Sequence, residues 1–454
     1  MWNVIHQRAF GRCLSFFVLC ATLAYGQSVQ AQEGLAAGPL NVSPRLRLET
    51  GYDSNAFYRA ADATRPTAVK LDVVPSVIVA TRDASALDWS LAGSVRFEQY
   101  VGGEAGTERE ALRQMSGVDV NVDTTARFNP NGLVSIAPSL LLQRSNDPVS
   151  NLSGDPWRNL YNQTAVEIGL HPGGANTASR MGISGYLRGF QRLYRFNLRE
   201  QLNRDTLGGE LRLNWNILPK SAFFVSSSVE SINYKDDLLD TTVVLPGTNP
   251  DGSPSSDTIS NANANATPVR VSGGFDGLLT RRFGILVRGG YGIGNYDLGE
   301  SISTPIGQLQ ATVYANPRTS FKLGASRDFA DSNLGNFVSF NRVYTGLQNR
   351  AGDLTTSLDV YLQFSNYALI ENDPAGTSEL TVYSTNDRND TLVGGYLDMV
   401  YSITPWFGVG ANYRLDLRDS NFSATSAIDP NVVDPASSAS FTRHAAAFIL
   451  QFGY

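Results

Sequence analysis

Cysteine is almost missing from this 454-residue chain, and its two copies, Cys13 and Cys20, both fall near the N-terminus. Everything after residue 31 therefore lacks thiol chemistry and a disulfide framework. Histidine is nearly as scarce: beyond the leader there are only His171 and His444, without an HExxH sequence or a metal-spaced Cys/His cluster. That shortage argues against a hydrolase or metalloenzyme, which needs a nucleophile, base and orienting group together. Lysine is confined to Lys70, Lys220, Lys235 and Lys322. Charged residues make up 17% of the chain, below the roughly 25% of ordinary globular domains, and the formal charge is −6. A basic nucleic-acid binder, a coiled coil and a disordered chain are all excluded on that balance, so no nucleic-acid partner is expected. Past the leader, no apolar run approaches the roughly 18–20 residues of a membrane helix.

The N-terminus has a different character. Arg8 and Arg12 occur without an acid, residues 13–24 are apolar, and Val29-Gln30-Ala31 offers small residues at a cleavage position. Residues 1–31 thus have the layout of a secretory signal peptide. Leu19 before Cys20 is too large for a lipoprotein site. The expected division is a signal peptide over 1–31, a short periplasmic segment over 32–44 and one β-domain over 45–454. A large exported chain without disulfides suits a bacterial envelope.

Alternation dominates what remains. Phe407, Val409, Ala411, Tyr413, Leu415 and Leu417 alternate with Gly408, Gly410, Asn412, Arg414, Asp416 and Arg418. A period of two with one apolar and one polar face defines an amphipathic strand. The same reading predicts eighteen strands, near 45–53, 69–81, 87–100, 112–127, 133–145, 160–170, 180–194, 205–217, 221–235, 268–279, 283–296, 306–315, 319–329, 337–349, 354–366, 391–403, 407–418 and 440–454. Every second connection is short, as in Asn129-Pro130-Asn131-Gly132 and Thr280-Arg281-Arg282, while those between are usually longer, up to 236–267. Outer-membrane barrels have even strand numbers, short periplasmic turns and longer external loops. The fold expected is an all-β transmembrane antiparallel barrel of about eighteen strands with both termini periplasmic. It would sit among outer-membrane lipid and lipopolysaccharide of a Gram-negative cell. Trp89, Trp215 and Trp406 fall beside short turns, where an aromatic girdle belongs, and Phe448, Leu450, Phe452 and Tyr454 end the chain on the apolar face.

Gly51-Tyr52-Asp53-Ser54-Asn55-Ala56-Phe57, followed after a polar loop by Val73-Val74-Pro75-Ser76-Val77, resembles the start of the β-barrel porin 2 family. That resemblance implies a barrel associated with exopolysaccharide synthesis and export, working with a periplasmic polysaccharide-export protein. Alternation and loop lengths by themselves imply only a barrel.

Cargo is read from the polar face. Its charges are mixed, including Arg45, Arg47, Glu49, Lys70, Asp72, Arg96, Glu98, Asp276, Arg270 and Arg288, and no single sign dominates. Tyr186, Tyr194, Tyr314, Tyr344, Tyr361 and Tyr396 share that face with Asn and Gln. Aromatic faces beside planar polar groups hold hydrated sugar rings by stacking and hydrogen bonding. The candidate lumen contacts are Tyr186, Arg188, Arg192, Arg212, Asp359, Tyr361, Tyr396, Asp398, Arg414, Asp416 and Arg418; no catalytic residue, metal or cofactor is expected. Arg180, Arg188, Arg192, Arg195, Arg199 and Arg204 cluster where an anionic glycan or lipopolysaccharide phosphate would be attracted to the outer rim. Gly290, Gly292 and Gly294 lie on one face of a strand, outside any nucleotide-loop context, and invite close approach to the wall. The acids of 236–267 lack the full spacing of a calcium loop. The sequence thus favours a passive conduit for exopolysaccharide, with a general small-solute porin and a closed structural or adhesive barrel as alternatives.

Overall fold

The computed structural model describes residues 34–453 apart from 57–66, 83–85, 104–105, 107–108, 110–111, 114–115, 146–158, 172–181, 197–202, 219, 236–239, 249–253, 261–263, 298–299, 333–335, 369–387, 422, 425–436 and 439. Eighteen long antiparallel strands close into one barrel. In chain order they are β1 (Leu40–Asp53), β2 (Ala68–Thr81), β3 (Leu87–Gly102), β4 (Gly117–Phe128), β5 (Val134–Ser145), β6 (Asn159–Leu170), β7 (Gly182–Phe196), β8 (Arg204–Leu218), β9 (Ser221–Tyr234), β10 (Ala266–Thr280), β11 (Phe283–Tyr296), β12 (Ile302–Asn316), β13 (Thr319–Asp331), β14 (Phe337–Ala351), β15 (Leu354–Tyr367), β16 (Arg388–Thr404), β17 (Phe407–Ser420) and β18 (Phe441–Gly453). Each matches an expected strand. The first starts at Leu40 rather than near 45, because the alternation continues upstream and Leu35–Ala37 folds back onto Leu40–Val42.

Closure follows from the pairing of β1 with β18, where Arg45 faces Gly453 and Asp53 faces Ala445. A chain of amphipathic strands has no other way to satisfy its backbone groups in hydrocarbon. The outward residues form a continuous apolar coat: Leu207 is 66% exposed, Leu211 45%, Leu213 50% and Trp215 57%. Near the short turns Trp215 neighbours Phe223, which meets Phe275, and Trp406, Phe407 and Phe452 form a second aromatic row. These rows are the expected girdle. Trp89 differs in being tied down, its Nε1 donating to Thr124 Oγ1 at 3.2 Å. Tyr454 and the longest connections lie largely outside the described residues; within 236–267 a small hairpin pairs Asp240–Thr248 with Pro254–Ser260.

The seam between first and last strands is locked by the motif that opens the barrel. Arg443 of β18 grips Asp53 of β1, donating from Nε to Oδ1 and Oδ2 at 3.1 and 3.0 Å. Asn55 is fully buried; its N–H donates to Asp53 Oδ1 at 3.0 Å and its Nδ2 to the Thr442 carbonyl at 3.1 Å. Ser54 and His444 exchange backbone and side-chain bonds across the same seam. Gly51-Tyr52-Asp53-Ser54-Asn55 is therefore the closing clasp of the sheet, which accounts for its polar residues at a strand end.

Candidate functional site: the lumen wall

All eleven candidate contacts occur in the register that points inward. Burial, however, divides that wall in two. Near the long connections, inward residues such as Asp53, Thr206, Asp328, Phe329, Ser365, Asp390 and Arg418 are buried. Towards the short turns, inward residues such as Thr312, Ser320 and Lys322 keep solvent contact. Along β12 and β13 the wall is thus packed near the long connections and wet near the short turns, while on other strands inward residues by the short turns, such as Ser135, Phe224 and Ser357, are buried too.

The packed half is built from arginines lying on aromatic rings. Arg192 covers Phe190 at 4.1 Å from ring centroid and Arg270 covers Phe329 at 4.3 Å, while Arg212 on Phe224, at 4.1 Å, carries the same arrangement towards the short turns. Arg388 on Tyr367 and Arg418 on Phe441 repeat the arrangement across the barrel, at 4.7 and 4.8 Å. A guanidinium is planar and weakly hydrated, so it stacks on a ring while its edge keeps donating to a carboxylate. Arg192 does so, reaching Glu230 at 3.1 Å and Gln163 at 3.2 Å; Arg270 reaches Asp328 at 3.3 Å and the Phe329 carbonyl at 2.8 Å. The charges that alternation placed inside the barrel are in this way neutralised.

Among the described residues a contact between side chains spans five strands of the wall. Arg204 at the start of β8 pairs with Asp331 at the end of β13, five strands away, and Tyr234 of β9 donates to the same Asp331 oxygen at 2.7 Å. Arg204 also donates to the Tyr234 hydroxyl at 2.9 Å. Side chains of this length cannot bridge five strands of a round barrel, so the wall is drawn inward here. Beside this clamp an apolar cluster of Ile232, Tyr234, Ala264, Ala266, Tyr296, Ile302, Ile306, Phe329, Phe337 and Ala368 fills the space. Phe329 reaches over β12 to lie against Gly292, where a Cβ would collide with the ring, and beside Gly294, where one would be crowded by the ring and Ile302. The occupant of the glycine track is therefore a wall side chain. Elsewhere on this rim, Leu112 from the β3–β4 connection packs against Ala56, Ala68 and Tyr100.

These facts correct the picture of an arginine patch open to anions. Arg188, Arg192 and Arg204 are buried in the wall. Arg195 is held by Asp205 at 2.6 Å and donates to the Tyr194 carbonyl at 2.7 Å. Arg180 and Arg199 lie outside the described residues. The cluster reads as a patch in sequence only because period-two strands hide which partners stand opposite.

The remaining candidates are also paired. Tyr186 donates to Glu210 at 3.0 Å, and Arg188 stands between Glu167 and Glu210 in the register. Arg212 bonds Asn214 at 2.9 Å and lies 3.8 Å from Asp276. Tyr396 donates to Asp398 at 3.1 Å; Asp398 in turn accepts from Arg47 at 2.8 Å. Arg414 donates to Asp416 at 2.8 Å, with Arg443 3.8 Å from the same carboxylate, and Arg418 lies 3.7 Å from Asp390. Asp359 pairs with Lys322 at 2.8 Å across Gly346. Tyr361 has one surprise: Arg342 covers its ring at 4.0 Å, so a face expected to be free for stacking is occupied.

A closed barrel with an apolar exterior and a charged, hydrogen-bonded interior is soluble in only one place, a lipid bilayer reached by export. This protein is an outer-membrane β-barrel. Among the described residues no group of three His, Cys, Asp or Glu is placed to hold a metal. His171 stands in a short connection, 3.5 Å from Ser135 Oγ, and His444 faces outward against Tyr413 Oη at 2.7 Å.

No family model and no curated protein matches the chain. Solved structures that resemble it are OccAB3 of Acinetobacter baumannii, at 9% identity, with 91% of this chain and 99% of that chain covered and a TM-score of 0.42. The ferric enterobactin receptor of Pseudomonas aeruginosa is similar at 9% identity, 92% and 81% coverage and a TM-score of 0.44. The copper transporter OprC gives 9%, 93% and 82%, with a TM-score of 0.43. Likeness at this level carries no inference about cargo.

Proposed function

We propose that the protein is a passive outer-membrane conduit for a hydrated, largely uncharged glycan, in line with exopolysaccharide export. The observation that supports this reading is the neutral pairing of the wet wall. Lys322 and Asp359 are paired at 2.8 Å, and tyrosine, glutamine, serine and threonine line the same stretch of wall. A wall with no net field neither attracts nor repels ions strongly, while its planar polar groups exchange hydrogen bonds with sugar hydroxyls. Conduction requires contacts weak enough to release, which short-lived hydroxyl bonds satisfy. A periplasmic export protein docked at the short-turn rim would drive the polymer, and the long-loop rim would face outside. Deleting the gene is expected to abolish surface polysaccharide, and a tag within 236–267 is expected to react on intact cells while one at 129–132 does not.

The cross-lumen clamp favours a second reading, a narrow porin for small solutes. If the deletion strain keeps its surface polysaccharide but loses uptake of small hydrophilic compounds, that reading replaces the first.

A further inference from the structure

Inward aromatic rings fall into two classes. Most carry a cation on one face, as Phe190, Phe224, Phe329, Tyr361 and Tyr367 do. Tyr344 of β14 and Tyr314 of β12 carry none among the described residues, and both are only half-buried, on the wet side of the clamp. We propose that these two rings form a stacking track for uncharged pyranosyl units, a proposal that rests on the glycan-conduit reading and names its binding subsite.

Tyr344 is fixed in place before any ligand arrives. Its hydroxyl accepts from Gln308 Nε2 at 2.9 Å and donates to Gln310 Oε1 at 2.8 Å. Its ring crosses Gly324 of β13, where a Cβ would clash with the hydroxyl end. A pinned ring loses little entropy when a ligand stacks on it. Tyr314 sits opposite Ser320, and Tyr344 opposite Gly324, on the same intervening strand. Four residues of β-strand separate the two positions, about 13 Å at roughly 3.3 Å per residue. Between them the wall presents Gln310, Thr312 and Lys322, and Lys322 reaches across Gly346 to Asp359 on β15. Gln310 Nε2 lies 3.3 Å from Thr312 Oγ1, and Lys322 is bonded to Asp359. The charges are thus already balanced, so an added carboxylate would have to break an ion pair, whereas sugar hydroxyls need only share donors and acceptors. Aromatic faces at both ends with a donor–acceptor strip between them match the alternating C–H faces and equatorial hydroxyls of a pyranose chain.

The test uses the full barrel in detergent, so it does not depend on whether the long-loop mouth opens. Saturation-transfer NMR with maltohexaose and cellohexaose as probes should show transfer to ring C–H protons. The Tyr314→Ala/Tyr344→Ala double variant should weaken the signal-derived affinity about tenfold or more. Tyr344→Phe, which keeps the ring, should bind within about twofold of the parent. Heat-modifiable mobility of every variant reports folding. Absence of transfer from the parent barrel to either probe, or equal binding by the folded double variant, overturns the track. The conduit reading fails separately, by retention of surface polysaccharide in the deletion strain.

Discussion

The mouth beside the long connections and the mouth beside the short turns are made from the same strands, yet they treat charge in opposite ways. At the long-loop mouth arginines are laid on rings and locked to acids out of water, and Arg204 reaches Asp331 across the lumen. At the short-turn mouth the pairs stay wet, as in Lys322–Asp359, with side chains 32% and 24% exposed. Buried pairs resist separation because each charge would be left unpaired in a low-dielectric setting, whereas exposed ones are worth little. The same residue types thus close one end and line the other, and what differs is desolvation.

The seam offers the harshest way to break this arrangement. Asp53→Ala leaves Arg443 buried without its main acceptor, at a position where loss of one partner costs about 3–5 kcal/mol. The variant is expected to lose its heat-modifiable form or to unfold at markedly lower urea in detergent, whereas Lys322→Ala on the wet side should leave unfolding within about 1 kcal/mol of the parent. Equal midpoints for the two would erase the contrast.

Opening the clamp comes next. Asp331→Ala removes the acceptor shared by Arg204 and Tyr234. Single-channel conductance in planar bilayers is expected to rise at least severalfold with the barrel still folded, and Gly292→Val, which displaces Phe329, should act in the same direction more weakly. An unchanged conductance in both would mean that the narrowing lies elsewhere.

The barrel was legible in the sequence because lipid on one side and water on the other force a period of two on every strand. Strand number, order and the inward placement of Tyr361, Asp398 or Arg414 follow from that period alone. The partition of the lumen was not legible. Arg204 and Asp331 are 127 positions apart, and nothing in either local pattern marks them as partners. Gly292 and Gly294 did signal close approach, but the approaching group, Phe329, belongs to a strand two further round. Likewise Tyr361 and Tyr344 look equivalent in sequence, and only the position of Arg342 separates a capped ring from a free one.

A smaller effect concerns the short-turn rim. Burial and the neighbouring Arg127 hold the His171 imidazole below its ordinary range, so the folded protein binds a proton there less readily than the unfolded chain. Below about pH 6.5 the unfolded chain then binds more protons at this site, and stability falls as pH drops through that window. His171→Gln should flatten the unfolding midpoint between pH 7 and pH 5 by the equivalent of under about 1 kcal/mol, measured by urea titration in detergent.

Cysteine scanning tests the division of the lumen most directly, since a chain expressed from residue 32 has no thiol of its own. Ser320→Cys and Thr312→Cys lie on the wet wall; Thr206→Cys and Ser365→Cys replace residues that are 2% and 1% exposed. With a small charged thiol reagent in detergent, the first pair should react rapidly and the second pair at least about a hundredfold more slowly, with Asp331→Ala accelerating labelling at Thr206→Cys. Comparable rates at all four positions would contradict a wall that is packed near the long connections and wet where β12 and β13 meet the short turns.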